Sequence, residues 1–365
     1  MLLSCQSVDF SKLKICLSRN NFDGHWAFKE LNESSDPSVR CPVLTNISQY
    51  KSVRYQCDNY RAAMFVPHNC RLRSFDTSIR IMSEIYPRGS VVYVGDSLTS
   101  QHHIAALCDR EKLKTDMQFV FMSDLFFRRD LPCPNKCLTN ATFREVHYNW
   151  YKTGQRFIDY CGGCPSGQIQ DECVYVKDPS GTGGRYITPA EHWWETKIPT
   201  DAKVVILSTG AWYNMQHGLS NPLLEFRRTI FELTPVLSGA VKKGIAIAWM
   251  PIPLPTPGVK SPKHYNRDLF MAMNTIVKDN LPRIGVIYID KLPQVLLNRK
   301  VTDRSVALDD LHWCNLGPTA VPSFSNQVYF HFISLHVEHI LKNHPNNIGA
   351  NSTTKTSCRV DHTNL

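Results

Sequence analysis

The chain has 365 residues, 42% of them hydrophobic, and a formal net charge of +9 at pH 7. That apolar content supplies one large α/β core or two smaller ones, and the ordinary glycine, proline and charge contents exclude wholesale disorder. The lysines and arginines are scattered and not massed in runs, so the charge reads as a solvated surface suited to acidic partners and not as a nucleic-acid site.

Taken in chain order, residues 1–85 read as an irregular, cysteine-bearing lobe with few helical periods. Beyond it, short apolar runs alternate with amphipathic segments, the pattern of a doubly wound α/β sheet over residues 86–343. The runs Ser90–Val94, Gln118–Met122, Lys203–Ser208, Gly244–Met250 and Gly285–Ile289 predict strands. Leu98–Asp109, Leu223–Val241, His264–Asn280 and Ser323–Leu341 predict helices, each on the connection a parallel sheet requires. Residues 131–189, rich in Cys, Gly and Pro, read as an insertion, and the polar residues 344–365 as a mobile tail. No internal repeat or low-complexity tract is present.

No stretch reaches the ~20 apolar residues of a membrane helix, and Met1-Leu2-Leu3-Ser4-Cys5 is too short for the hydrophobic core of a signal peptide. Thirteen cysteines are many for a reducing compartment, and sequons stand at Asn32, Asn46, Asn140 and Asn351. Together they point to a lumenal or secreted protein, so the expectation is either that the sequence lacks its true N-terminus or that the protein is not lumenal, with the first preferred. Cys133, Cys137, Cys161, Cys164 and Cys173 are spaced for either disulfides or a structural zinc, with disulfides the preferred reading. An odd cysteine remains, expected to be Cys5 or Cys358.

Two motifs carry chemistry. Gly95-Asp96-Ser97 ends the apolar run Val91-Val92-Tyr93-Val94, and Asp309-Asp310-Leu311-His312-Trp313-Cys314 comes much later. A serine hydroxyl is a poor nucleophile at neutral pH. It needs a base within hydrogen-bond reach and a carboxylate to orient that base. Ser97 falls where a buried strand should turn into a helix, the placement that exposes nucleophiles at the top of α/β sheets. Each residue also has a plainer reading. Ser97 could be the N-cap of the following helix, and Asp96 reads better as a partner of turn amides than as a catalyst. His102 and His103 read as packing or polar-face residues. Trp212, Trp313 and the pair Trp193-Trp194 fit either sugar stacking or core packing.

The two motifs resemble the SGNH/GDSL superfamily, and in particular its trichome-birefringence-like (PC-esterase) branch of polysaccharide O-acetyltransferases. Gly24-His25-Trp26, the segment Phe65-Val66-Pro67-His68-Asn69-Cys70-Arg71-Leu72-Arg73-Ser74-Phe75-Asp76 and the block Ser208-Thr209-Gly210-Ala211-Trp212-Tyr213 resemble further landmarks of that branch, in the same order. The resemblance implies a three-layer α/β/α sandwich with a central parallel sheet and a small N-terminal lobe packed on it. It implies a triad of Ser97, His312 and Asp309, chosen over Asp310 by the Asp-x-x-His spacing. Gly210 would give a backbone oxyanion donor, while Asn214, Gln101 and Trp212 are candidates for binding substrate. It further implies an acetyl-serine intermediate, no resident cofactor and no metal. The donor would be acetyl-CoA or an acetyl group relayed by a membrane-embedded partner, the acceptor a cell-wall-type polysaccharide, and the compartment the Golgi lumen.

The departures from that pattern define the alternatives. Ser100 and Gln101 stand where the branch has an arginine and an asparagine, which removes a possible oxyanion or substrate-positioning donor. A carbohydrate acetylesterase uses the same triad, with water in place of the sugar hydroxyl. A catalytically silent glycan-binding homologue would keep the fold alone.

Overall fold

A computed structural model of the chain describes residues 14–19, 23–28, 63–68, 70–110, 113, 115–122, 174–177, 184–187, 189–211, 213, 221–255, 266–302, 311–313 and 321–343. In chain order the elements are β1 (Gly24–Phe28), β2 (Ala63–Pro67), α1 (Phe75–Ile85), β3 (Ser90–Val94), α2 (Ser97–Arg110), β4 (Gln118–Met122), β5 (Val174–Lys177), β6 (Gly184–Ile187), α3 (Pro189–Lys197), β7 (Ala202–Leu207), α4 (Pro222–Lys242), β8 (Ala246–Trp249), α5 (Arg267–Asn280), a 3-10 turn (Leu281–Ile284), β9 (Ile287–Tyr288), α6 (Leu292–Thr302) and α7 (Val321–Asn343).

Every residue of β3 is buried, as a strand in the interior of a parallel sheet covered on both faces must be. The protein has an α/β fold built on a five-stranded sheet in the order β4-β3-β7-β8-β9, with each neighbouring pair parallel. Side chains of successive residues leave a strand on opposite faces, and two separate cores result. Val92, Val94, Val205, Leu207, Ile247 and Trp249 pack with Leu233 and Leu237 of α4, Phe270 and Met273 of α5 and Trp193 of α3. Val91, Tyr93, Val204, Ile206 and Ala248 pack with Ile79 and Met82 of α1, Leu296 of α6 and Tyr329, Phe330 and Ile333 of α7. Helices therefore cover both faces of the sheet.

The five predicted strands and four predicted helices are all present, and the expected bounds of β3 and β4 match those observed. α5 starts at Arg267 and not at His264, because Asn266 caps it by accepting the Leu269 amide at 3.0 Å. The reading of residues 1–85 as irregular is corrected by α1. Its Phe75, Ile79 and Met82 form a buried stripe at helical spacing, and Ser74 caps it through the Thr77 amide at 3.1 Å. This helix packs against α7 as part of the main core. Within the expected insertion, β5 and β6 form an antiparallel pair.

The N-terminal strands β1 and β2 pair antiparallel and sit on the α6–α7 side. Trp26 Nε1 donates to Val295 O at 3.0 Å, and the Trp26, Phe65 and Phe324 rings meet with centroids 4.8–5.4 Å apart. Cys16 and Cys70 are disulfide-bonded, and Cys108 of α2 is also in a disulfide. Buried His331 of α7 ties this region down: Nδ1 accepts the Arg73 amide at 3.1 Å and Nε2–H donates to Cys16 O at 2.6 Å. Among the described residues no helix is long and apolar enough to cross a membrane.

Candidate active site

From β3 the chain runs outward to β4 and later returns to β7 on the other side of β3. The strand order thus reverses between β3 and β7, and in open α/β sheets the crevice at such a reversal, at the carboxyl ends of the strands, is where ligands bind. The Gly-Asp-Ser motif emerges at this point. Gly95 N–H donates to Met122 O at 3.1 Å and Ser208 N–H to Val94 O at 3.0 Å, so the ends of three strands are laced together. A Cβ at position 95 would collide with Ser208 O and Thr99 Oγ1, which leaves glycine the residue that fits so close an approach.

Asp96 is buried and its Oδ1 accepts the Leu98 amide at 3.0 Å at the start of α2. Burial raises the pKa of this carboxyl, while the Leu98 amide, and His312 when protonated, act in the opposite direction. The plainer reading of Asp96 is thus the observed one. With the cap supplied by Asp96, the Ser97 hydroxyl is left for another partner.

That partner is His312, whose Nε2 lies 2.7 Å from Ser97 Oγ. With the imidazole proton on Nδ1, Ser97 Oγ–H donates to Nε2, the arrangement in which a histidine can take the serine proton. The segment carrying the histidine is anchored on both sides. Leu311 is buried in the core on the α4–α5 face and Trp313 in the core on the α1–α7 face. The three residues straddle the carboxyl edge of the sheet, with half-buried His312 between the two anchors.

Gln101, expected as a donor to substrate, has a different role in the structure. Its side chain is fully buried; Nε2 donates to Trp313 O at 2.9 Å and Oε1 accepts the Trp313 amide at 3.2 Å. Packing against Trp313 leaves it no exposed surface with which to meet a ligand.

Gly210 follows β7 at the same edge with φ +132°, and a Cβ there would collide with Ile252. The Ile252 backbone is held by Asn274 of α5 at both atoms: Oδ1 accepts the Ile252 amide and Nδ2 donates to Ile252 O, each at 2.9 Å. Further along the loop, buried Tyr213 is fixed through its hydroxyl to Thr229 Oγ1 at 2.5 Å. Asn274 was not expected from the sequence. The signal was present, since it interrupts the apolar stripe of Phe270, Met273 and Val277 with a buried amide.

His102 and His103 are packing residues: His102 Nδ1–H donates to Leu98 O at 2.8 Å and His103 Nε2–H to Phe119 O at 3.3 Å. Trp193 and Trp313 are core side chains, 2% and 0% exposed, and so cannot stack on a sugar. Asp309, Asp310, Trp212, Asn214, the four sequons and the cysteines offered for zinc lie outside the described residues. Among the described residues no cluster of His, Cys, Asp and Glu could hold a metal ion. The chain matches no protein-family model and no curated protein.

Proposed function

We propose that the protein is a serine acyltransferase that carries an acetyl group on Ser97 and delivers it to a hydroxyl of a cell-wall-type polysaccharide. The observation that carries this reading is the 2.7 Å approach of Ser97 Oγ to His312 Nε2 at the point where the strand order reverses. The likeness of the motifs to the trichome-birefringence-like branch supports acetyl as the group and a glycan as the acceptor. The sheet order and the helices on both faces support an SGNH-like sandwich. The Cys16–Cys70 disulfide supports an oxidising compartment such as the Golgi lumen.

In this mechanism Ser97 Oγ attacks the carbonyl carbon of the acetyl donor while its proton passes to His312 Nε2. The carbonyl electron pair moves to oxygen, and the backbone amides of Ser97 and Gly210 stabilise the oxyanion. When the tetrahedral adduct collapses, the bond to the leaving group breaks and His312 returns the proton to that group, leaving acetyl-Ser97. A sugar hydroxyl then binds, gives its proton to Nε2 and attacks the same carbonyl. Collapse of the second adduct forms the sugar ester and releases Ser97 Oγ, which recovers its proton from His312. Asp309 would accept the His312 Nδ1–H and hold the ring in the required tautomer.

The test is intact-mass spectrometry of the purified protein after incubation with acetyl-CoA or a small acetyl ester, with and without deacetylated plant oligosaccharides. The expected result is a 42 Da adduct on Ser97, absent from Ser97→Ala, that moves to one oligosaccharide. An adduct discharged to water alone makes the protein an acetylesterase. A folded protein that takes up neither an acetyl group nor a serine-directed fluorophosphonate overturns the acyl-transfer reading.

A further inference from the structure

Ser97 and Gln101 are four residues apart on α2, so they share one face of the helix a single turn apart. Ser97 meets the His312 ring, and Gln101 holds both backbone atoms of the next residue, Trp313. One turn of α2 thus touches the 311–313 segment at two successive residues. We propose that Gln101 is a positioning residue for the histidine base, setting the angle at which His312 presents Nε2 to Ser97; the proposal rests on the acyl-transfer reading of that pair.

Leu311 and Trp313, sunk in opposite cores, hold the segment at a fixed depth over the sheet edge. Apolar burial is by itself non-directional. A pair of hydrogen bonds from one planar amide to the N–H and C=O of one residue adds a directional restraint, because both bonds weaken steeply when the planes turn. Gln101 is 0% exposed, so water does not compete for those backbone groups. Nucleophile and base are 215 residues apart in sequence, yet their separation is set within one helical turn. Small errors at such a distance are costly, since a misplacement of ~1 Å can lower a rate about a hundredfold.

The experiment measures inactivation by a fluorophosphonate, resolved into the limiting rate kinact and the half-saturation constant KI, for the full chain and for Gln101→Met and Gln101→Glu. Methionine keeps the length and removes both hydrogen bonds. Glutamate keeps the acceptor, and its protonated form restores the donor. The expected result is a tenfold or greater fall in kinact for Gln101→Met with KI within twofold. The rate of Gln101→Glu relative to Gln101→Met should rise as pH falls and the carboxyl takes up its proton. Wild-type kinact in Gln101→Met overturns the positioning role. Failure of the folded wild-type protein to label at Ser97 overturns the acyl-transfer reading instead. Should neither variant fold, hydrogen exchange of the wild-type Trp313 amide decides: exchange as slow as that of the α2 interior supports the clip, and exchange at the rate of an open loop overturns it.

Discussion

Asp96 takes the cap of α2 and so leaves the hydroxyl of its neighbour Ser97 to His312. The carboxylate accepts the Leu98 amide at 3.0 Å, while Ser97 Oγ stands 2.7 Å from His312 Nε2. Two functions that compete for a serine at a helix start are thus divided between adjacent residues. Asp96→Ala should cost about 1 kcal/mol of stability, a usual value for a lost cap, and slow fluorophosphonate labelling of Ser97. Asp96→Asn retains an acceptor and should keep most of both. Thermal unfolding and labelling rates check this, and an alanine variant indistinguishable from wild type in both would remove Asp96 from the cap.

At Gly210, φ is +132°, and a Cβ would meet the buried Ile252 side chain. Gly210→Ala should therefore lose roughly 1–3 kcal/mol, the usual cost of a residue held in a sparsely populated backbone region. It should also reduce Ser97 labelling by an order of magnitude or more, because the Gly210 amide is the proposed oxyanion donor. Denaturant titration gives the first quantity and inactivation kinetics the second. A stable variant with full labelling would place the oxyanion elsewhere.

Acid should unfold the protein through its buried histidines. Burial lowers the pKa of His102, His103 and His331 from the ordinary 6.5 to about 4, and at His331 the nearby Arg73 acts in the same direction. The folded state thus binds fewer protons than the unfolded chain between those values. Their stabilising effect is complete above about pH 6.5 and is lost as pH falls toward 4, with a slope of about 1.4 kcal/mol per pH unit for each histidine. Urea midpoints across that range should fall, and His331→Gln should flatten the profile by one proton. A midpoint independent of pH between 6.5 and 4 would contradict the assignment.

Reduction should loosen the N-terminal region first. The Cys16–Cys70 bond closes a loop of sequence separation 54, for which chain entropy alone gives about 4 kcal/mol. Cys16 O also accepts from His331, so loss of the bond should propagate to α7. A Cys16→Ser, Cys70→Ser protein should melt at lower temperature than the oxidised wild type, by differential scanning calorimetry. An unchanged melting temperature would mean that the packing of Trp26 and Phe65 suffices without the bond.

The legible and illegible parts of this molecule differ for physical reasons. β3 was legible because a strand buried on both faces must be a continuous apolar run, and Val91-Val92-Tyr93-Val94 is one. Ser97 and His312 were legible as motifs, and the fold brings their side chains together. The helix α1 was readable in its Ser74 cap and the stripe of Phe75, Ile79 and Met82, but was obscured by the irregular composition before it. The role of Gln101 was not readable at all. Its partner is the backbone of Trp313, 212 residues away, and a backbone group leaves no mark in the sequence.

The straddling segment that carries His312 has a consequence for how the protein is made. Leu311 docks on one helical layer and Trp313 on the other, so neither layer alone can bring the histidine to Ser97. Contacts of such long range are closed late, after the local ones have formed. A partly folded chain, with its sheet begun and one side still bare, would hold an inert serine. Reactivity at Ser97 would therefore mark the completed molecule, and on the acyl-transfer reading proposed above a newly synthesised chain would gain the power to acylate only at the end of its maturation.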